Sequence, residues 1–312
     1  MADTALLYVG EALSRYGFPN GHPLSIDRQG AFWNEACKQG LDQQVRVITP
    51  RIATREEIGA FHDAAHIDWV AANNAGGGML DYGDTPAFPG VFDTSAAIVG
   101  AALDGLERVM SGEARRTFQP IGGLHHARRG NAAGFCVFND LGVVIDTLRA
   151  RYGVRRIAYV DIDVHHGDGV FYAYENDPAL IFADIHEDGR FLYPGTGHAG
   201  ETGQGDAFGK KLNIPLAPGA GDSDFFDAWE RVEAHVASHR PEIILLQCGA
   251  DGLAGDPLAH LHYSNAPHAH AARRLRALAD QMSQGRLMAF GGGGYDLGNL
   301  AAAWNAVLRE LV

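Results

Sequence analysis

Residues 157–169 read I-A-Y-V-D-I-D-V-H-H-G-D-G, and no other stretch restricts the fold so tightly. Ile157, Ala158, Tyr159, Val160, Ile162 and Val164 form a nearly continuous apolar, β-branched run, the pattern of a strand buried on both faces of a parallel sheet. Such a strand belongs at the centre of an α/β fold. Asp161, Asp163, His165, His166 and Asp168 crowd its carboxyl end, where buried charges are costly unless paired or metal-bound. A compensating partner is required. Alternation along the strand sends Asp161, Asp163 and His165 to one side. Asp163 and His165 then offer one oxygen and one nitrogen, a pair suited to a borderline divalent ion such as zinc. For D-x-H alone, a helix start with capping Asp and His is the plainer alternative, so the other motifs decide.

Three further strand ends carry compatible chemistry. Gly122-Gly123-Leu124-His125-His126-Ala127 precedes Gly134-Phe135-Cys136-Val137-Phe138-Asn139-Asp140, so two imidazoles follow a tight glycine approach. Histidine titrates near neutrality and suits proton transfer, and Asp161 and Asp168 are available to orient one imidazole each. The apolar strand at 243–247 ends in Cys248-Gly249-Ala250-Asp251, placing a third candidate ligand, Asp251, where α/β sheets keep their sites. Three protein ligands leave a position for water. The strand at 287–290 runs into four glycines and Tyr295, whose hydroxyl can donate to a developing oxyanion. That glycine run lacks the Lys-Ser/Thr of a phosphate-binding loop.

Elsewhere the pattern gives strands at 5–9, around 45–48 and at 179–185. It gives helices beginning at a Thr54 cap, at 94–110 and at 139–152. The stretch 73–90, with three consecutive glycines, reads as a surface loop in which Asp84 serves a turn. His62 and His66 read as a packed helix face, and His260, His262, His268 and His270 as surface residues around a helix start. Aromatics in the glycine-rich loop 187–209 suit either a groove wall or packing.

A chain of 312 residues with 46% hydrophobic content and no linker suits one domain, residues 1–312. A net charge of -13 argues against a nucleic-acid surface, and no apolar run approaches membrane-spanning length. Cys37, Cys136 and Cys248 are odd in number and lack C-x-x-C spacing, so neither disulfides nor a thiolate metal site is expected, and a cytoplasmic location fits.

G-G-L-H-H-A, G-F-C-V-F-N-D, Y-V-D-I-D-V-H-H-G-D-G-V, Y-P-G-T-G, Q-C-G-A-D-G-L-A-G-D-P and G-G-G-G-Y occur in the order found in the histone deacetylase family. The chain resembles that family's bacterial, acetoin-utilisation-protein-like branch over nearly its whole length. The resemblance implies a single-domain arginase/deacetylase α/β fold, an eight-stranded parallel sheet flanked by helices. It implies a deacetylase acting on N-acetyl-lysine or a related acylated amine. Asp163, His165 and Asp251 would hold zinc, or ferrous iron in the cell. His126, oriented by Asp168, would be the general base and later the acid, with His125, backed by Asp161, assisting. Tyr295 would polarise the carbonyl. Gly134, Phe135 and Tyr193 would line an acyl-lysine channel, with Asp84 at its rim and Arg28 beside an inner cavity that releases acetate. A structural potassium would take Asp161, Asp163, His165, Asp184 and Ile185.

Some positions depart from the family pattern. Tyr193 replaces a usual phenylalanine, and Asp184 a usual serine. Lys211 falls near a second potassium site and puts that ion in doubt. Leu258 stands where polyamine-selective relatives carry an acid, which weakens an acetylpolyamine role without removing it. A two-metal ureohydrolase lacks its bridging carboxylates, with Gly167 and Gly252 at those places, and a catalytically inactive acyl-lysine binder would not need Tyr295. Oligomeric state stays open, a homo-oligomer included.

Overall fold

The structure, a computed structural model, describes residues 4–312. Eight strands form one parallel sheet: β1 (Leu6–Tyr8), β2 (Arg46–Ile48), β3 (Arg116–Gln119), β4 (Ile157–Asp161), β5 (Leu180–Glu187), β6 (Lys211–Leu216), β7 (Ile243–Gln247) and β8 (Leu287–Phe290). Their spatial order is β2-β1-β3-β8-β7-β4-β5-β6. Every residue of β4 is buried, as its unbroken apolar run requires of a strand covered on both faces. Between the strands lie helices α1 (Glu11–Ser14), α2 (Arg28–Lys38), α3 (Arg55–Ile58), α4 (Ala64–Ala72), α5 (Val91–Met110), α6 (Asp140–Tyr152), α7 (Asp168–Ala173), α8 (Asp222–His239), α9 (Ala266–Met282) and α10 (Leu297–Leu311). α2, α10, α9 and α8 pack in succession as one layer, and α4, α5, α6 and α7 as another.

The order places β3 and β4, which are consecutive in the chain, on either side of the β8-β7 pair. All strands run parallel, so the segments leaving β3, β8, β7 and β4 open onto the same edge, where α/β sheets assemble ligand sites. That edge receives the His125-His126 pair, the glycine run, Asp251 and the Asp163/His165 pair.

β6 escaped the sequence pattern, and β3 was implied only by the glycine approach at its end. β3 reads Arg-Thr-Phe-Gln, and its polar ends are buried because each finds a partner. Arg116 pairs with Asp280 of α9 at 2.8 Å, and the Gln119 amide donates to the Ile98 carbonyl at 2.9 Å. β6 contains Pro215 and lies at the sheet edge, where a missing N–H costs no ladder bond. Its Lys211 ammonium is buried and donates to the Asp177 carbonyl at 2.9 Å and to that of Leu180 at 2.5 Å.

Several expectations need correction. His268 is not a surface residue: it is fully buried in α9, its Nε2 donating to the Gly249 carbonyl at 2.7 Å. α5 starts at Val91, because Gly90 in a left-handed conformation turns the chain into it. The Thr54 cap closes a reciprocal capping box with Glu57, but α3 then stops at Ile58, so His62 lies between α3 and α4. His62 and His66 are both buried on backbone groups of other segments. His62 Nε2 accepts the Asn139 N–H at 2.8 Å, and His66 Nε2 donates to the Val137 carbonyl at 2.9 Å.

Candidate active site

β4 ends at Asp161, and the chain then leaves the sheet through residues 162–167 before α7. Asp163 and His165 project from this short connection, and Asp251 reaches them from the turn after β7. One ligating atom from each of the three lies within 4.8 Å of the others, and all three residues are buried. His165 Nδ1 stands 3.2 Å from Asp163 Oδ1 and 3.1 Å from Asp251 Oδ2. Burial alone would lower the His165 pKa, but the two flanking carboxylates raise it to about 10. Two carboxylate oxygens and one imidazole nitrogen in a buried cluster form the donor set of a catalytic divalent metal site.

The remaining carboxylate oxygens are held by the surrounding chain. Asp163 Oδ2 accepts from the Gly293 N–H at 2.8 Å and from the Gln247 amide at 2.9 Å, and Asp251 Oδ1 accepts from the Val164 N–H at 3.1 Å. A Cβ at Gly249 would collide with Asp163, and one at Gly293 with Asp251, so the glycines leave the space that the carboxylates fill. The cradle fits a metal: donors of suitable hardness, oriented by neighbours, with room preserved around them.

Beside the triad stand two imidazole–carboxylate dyads. His125 Nδ1 lies 2.8 Å from Asp161 Oδ2, and His126 Nδ1 lies 2.7 Å from Asp168 Oδ1. The two Nε2 atoms approach to 3.1 Å. Burial disfavours charge on both rings. Asp161 and Asp163 overcome it at His125 and raise its pKa to about 9, whereas burial and the adjacent His125 hold His126 down at about 4. Arg128 donates to the second Asp168 oxygen at 2.8 Å, and Tyr159 donates to Asp161.

The walls come from three loops. Gly134 adopts a positive φ of 52°, and a Cβ there would meet the His126 and Tyr193 rings. Phe135 follows with a positive φ of 67°, uncommon for a bulky side chain. It is held by its N–H on Thr85 Oγ1 at 3.1 Å and by the Tyr16 hydroxyl on its carbonyl at 2.6 Å. The exposed Tyr193 ring stands edge-on to His126, with centroids 5.0 Å apart. Tyr295 packs edge-on against Phe135 at 5.7 Å, and burial next to Asp251 and Asp163 keeps its phenol protonated, with a pKa well above the usual value. The enclosed space is narrow, about 20 Å³, bounded by Leu24, His126, Gly134, His165 and Tyr295 among others.

The other predicted positions lie nearby. Half-buried Asp84 has its carboxylate on the Thr85 hydroxyl at 3.3 Å, and burial with the adjacent Asp81 raises its pKa. Leu258 donates its N–H to Asp256 at 3.0 Å. Arg28 is buried, its guanidinium donating to the Gly294 carbonyl at 2.9 Å and to that of Gly292 at 2.5 Å, so it clamps the glycine run that presents Tyr295. Asp184 is opposite Asp161 in the β4–β5 register, followed by buried Ile185, and it accepts the Gly167 N–H at 2.9 Å.

Sequence reading missed the supporting residues. Gln247, Arg128, Tyr159 and Tyr16 each orient a site group, and Asp256 accepts the Tyr295 N–H at 2.8 Å. Only Gln247 carried a signal, as the one amide closing an apolar strand.

Comparison with known proteins agrees with this geometry. Residues 22–311 match a family model described as the histone deacetylase domain. The acetoin utilization protein AcuC of Bacillus subtilis (strain 168) is 35% identical, the alignment covering 100% of this chain and 82% of that protein. Its namesake from Staphylococcus xylosus is 37% identical over 99% of this chain and 82% of its own length. Among solved structures, the crystal structure of the HDA15 HD domain superposes with a TM-score of 0.91 at 24% identity, covering 100% of this chain and 88% of that one, a likeness of fold. By its family model and its full-length relatives, the chain belongs to the histone deacetylase family and is a hydrolase of the deacetylase class.

Proposed function

We propose that residues 1–312 form one catalytic domain, a metal-dependent amidohydrolase that removes the acyl group from N-acetyl-lysine or a related acylated amine. The observation that carries this reading is the meeting of the buried Asp163/His165/Asp251 triad with a neutral imidazole, His126, around one narrow cavity. Zinc, or ferrous iron in the cell, held by Asp163, His165 and Asp251, supplies Lewis acidity toward water and the amide carbonyl.

His126 takes the proton of the attacking water at Nε2, because Asp168 fixes its Nδ1. It later returns that proton to the leaving amine. His125, cationic beside Asp161, stabilises negative charge that develops next to it. Tyr295 donates its hydroxyl proton to the oxyanion of the tetrahedral intermediate, a role that requires a protonated phenol. Gly134, Phe135 and Tyr193 hold the acyl chain, Asp84 binds the substrate backbone at the rim, and Leu258 puts an apolar side chain at the position where a polyamine-selective site would carry an acid. Arg28 keeps the Tyr295 loop in place and lies beside the route by which acetate leaves. Asp161, Asp163, His165, Asp184 and Ile185 would hold a potassium ion, whose charge would offset the Asp161 and Asp184 carboxylates that face each other across the β4–β5 register.

A panel of acetyl-lysine peptides, acetylpolyamines and longer acyl amides, offered to zinc-loaded protein with and without chelator, tests the proposal. Chelator-sensitive acetate release from at least one class is expected. Equal, negligible release from all of them would overturn it.

A further inference from the structure

His22 takes no part in the chemistry above, yet three pieces of the channel converge on it. Its Nδ1 accepts the Leu24 backbone N–H at 3.1 Å, and its Nε2 lies 3.1 Å from the Asp84 carbonyl oxygen. A carbonyl only accepts, so Nε2 carries the proton, Nδ1 is bare, and the ring is neutral in a single tautomer. The same ring meets Phe135 edge-on, with centroids 4.5 Å apart at 78°, and Phe18 at 4.7 Å.

Each partner belongs to the substrate path. Leu24 lines the site cavity, Phe135 packs edge-on against Tyr295 of that cavity, and Asp84 is the residue proposed above for the rim. The last two are already coupled, since Thr85, next to Asp84, accepts the Phe135 N–H. Such ties brace Phe135 at its positive φ. A side chain that fixes all three segments sets the width and direction of the channel without touching a reacting atom.

We propose that His22 is a positioning residue of the substrate channel, joining the cavity at Leu24, the rim at Asp84 and the wall at Phe135 through one imidazole. This rests on the deacetylase reading. Losing His22 loosens substrate binding and leaves the catalytic groups where they are. The two hydrogen bonds are separable by substitution. His22→Gln offers an amide N–H near the Nε2 position and keeps the Asp84 tie, His22→Asn offers an amide oxygen near Nδ1 and keeps the Leu24 tie, and His22→Phe keeps only the ring contacts.

The test measures KM and kcat of zinc-loaded wild type and of these variants with a fluorogenic acetyl-lysine peptide, alongside Kd for a dye-labelled copy of that peptide by anisotropy. His22→Phe is expected to raise KM and Kd roughly tenfold with kcat changed by less than about twofold, and Asn and Gln each to recover part of the loss. Wild-type KM and Kd in all three variants, or a fall in kcat at constant KM, overturns the inference. Wild-type protein that binds the peptide without cleaving it defeats the deacetylase reading alone, because Kd still reports on His22. If the peptide neither binds nor turns over, both fail.

Discussion

His125 and His126 are adjacent in sequence, and their surroundings push their proton affinities in opposite directions, to about 9 and about 4. The sign of the pH dependence follows. A base must be neutral, so kcat/KM is lost as pH falls through the His126 value, on an acid limb below the ordinary histidine range. A cationic His125 is lost as pH rises, which sets an alkaline limb near 9. A pH–rate profile with a single rising limb near 6.5 would contradict this assignment. His126→Ala is expected to lower kcat by about 10²- to 10⁴-fold, and Tyr295→Phe by about 10²- to 10³-fold, with unchanged circular dichroism. Near-wild-type kcat in either variant removes that residue from the chemistry. Residues of this kind were legible in the sequence because an ionisable group at the end of an apolar strand stands out. Their supports were not: Arg128, Tyr159 and Asp256 sit in ordinary local contexts, and only the fold brings them to Asp168, Asp161 and Tyr295.

The segment between α3 and α4 shows how an element is tied to the site's scaffold. His62 is buried with its Nε2 accepting the Asn139 N–H at the start of α6, and burial and its neighbour His66 hold its pKa at about 3. The folded protein resists protonating this ring while the unfolded chain protonates it near 6.5. Stability is therefore intact above 6.5 and declines as pH falls toward about 3. Between pH 6.5 and 5 this one ring costs up to about 2 kcal/mol. His62→Gln, which keeps an acceptor near Nε2 and cannot titrate, is expected to flatten the fall of Tm between pH 7 and 5. An unchanged slope would exclude His62 as its source. The strands whose apolar runs are unbroken, β4 and β7, were readable directly. β3 and β6 were not, because Arg116, Gln119 and Lys211 are polar residues whose burial is made tolerable by partners distant in the chain.

At the scale of the whole molecule, strand order converts four separate motifs into one site. β3 and β4 flank β8 and β7, so dyads, tyrosine loop and metal triad share one edge of the sheet. Among the described residues no helix is long and apolar enough to cross a membrane. The α/β class and the three-ligand set follow from motif and burial arguments, whereas the full strand count came from family resemblance, since two strands have no apolar signature. Gly293 illustrates the interdependence: it belongs to the β8 loop yet makes space for Asp251 after β7. Gly293→Ala is expected to retain the fold and lose bound zinc, read by metal analysis after dialysis. A full equivalent of zinc in that variant would show the glycine space to be dispensable.

The central claim, one catalytic metal on Asp163, His165 and Asp251, is tested most directly by adding zinc back to chelated protein and following acetate release from an acetyl-lysine peptide. Activity should rise in proportion to zinc and break at about one equivalent per chain, with no rise in Asp251→Ala. Turnover that persists in the chelated protein, or a break at about two equivalents, would contradict it.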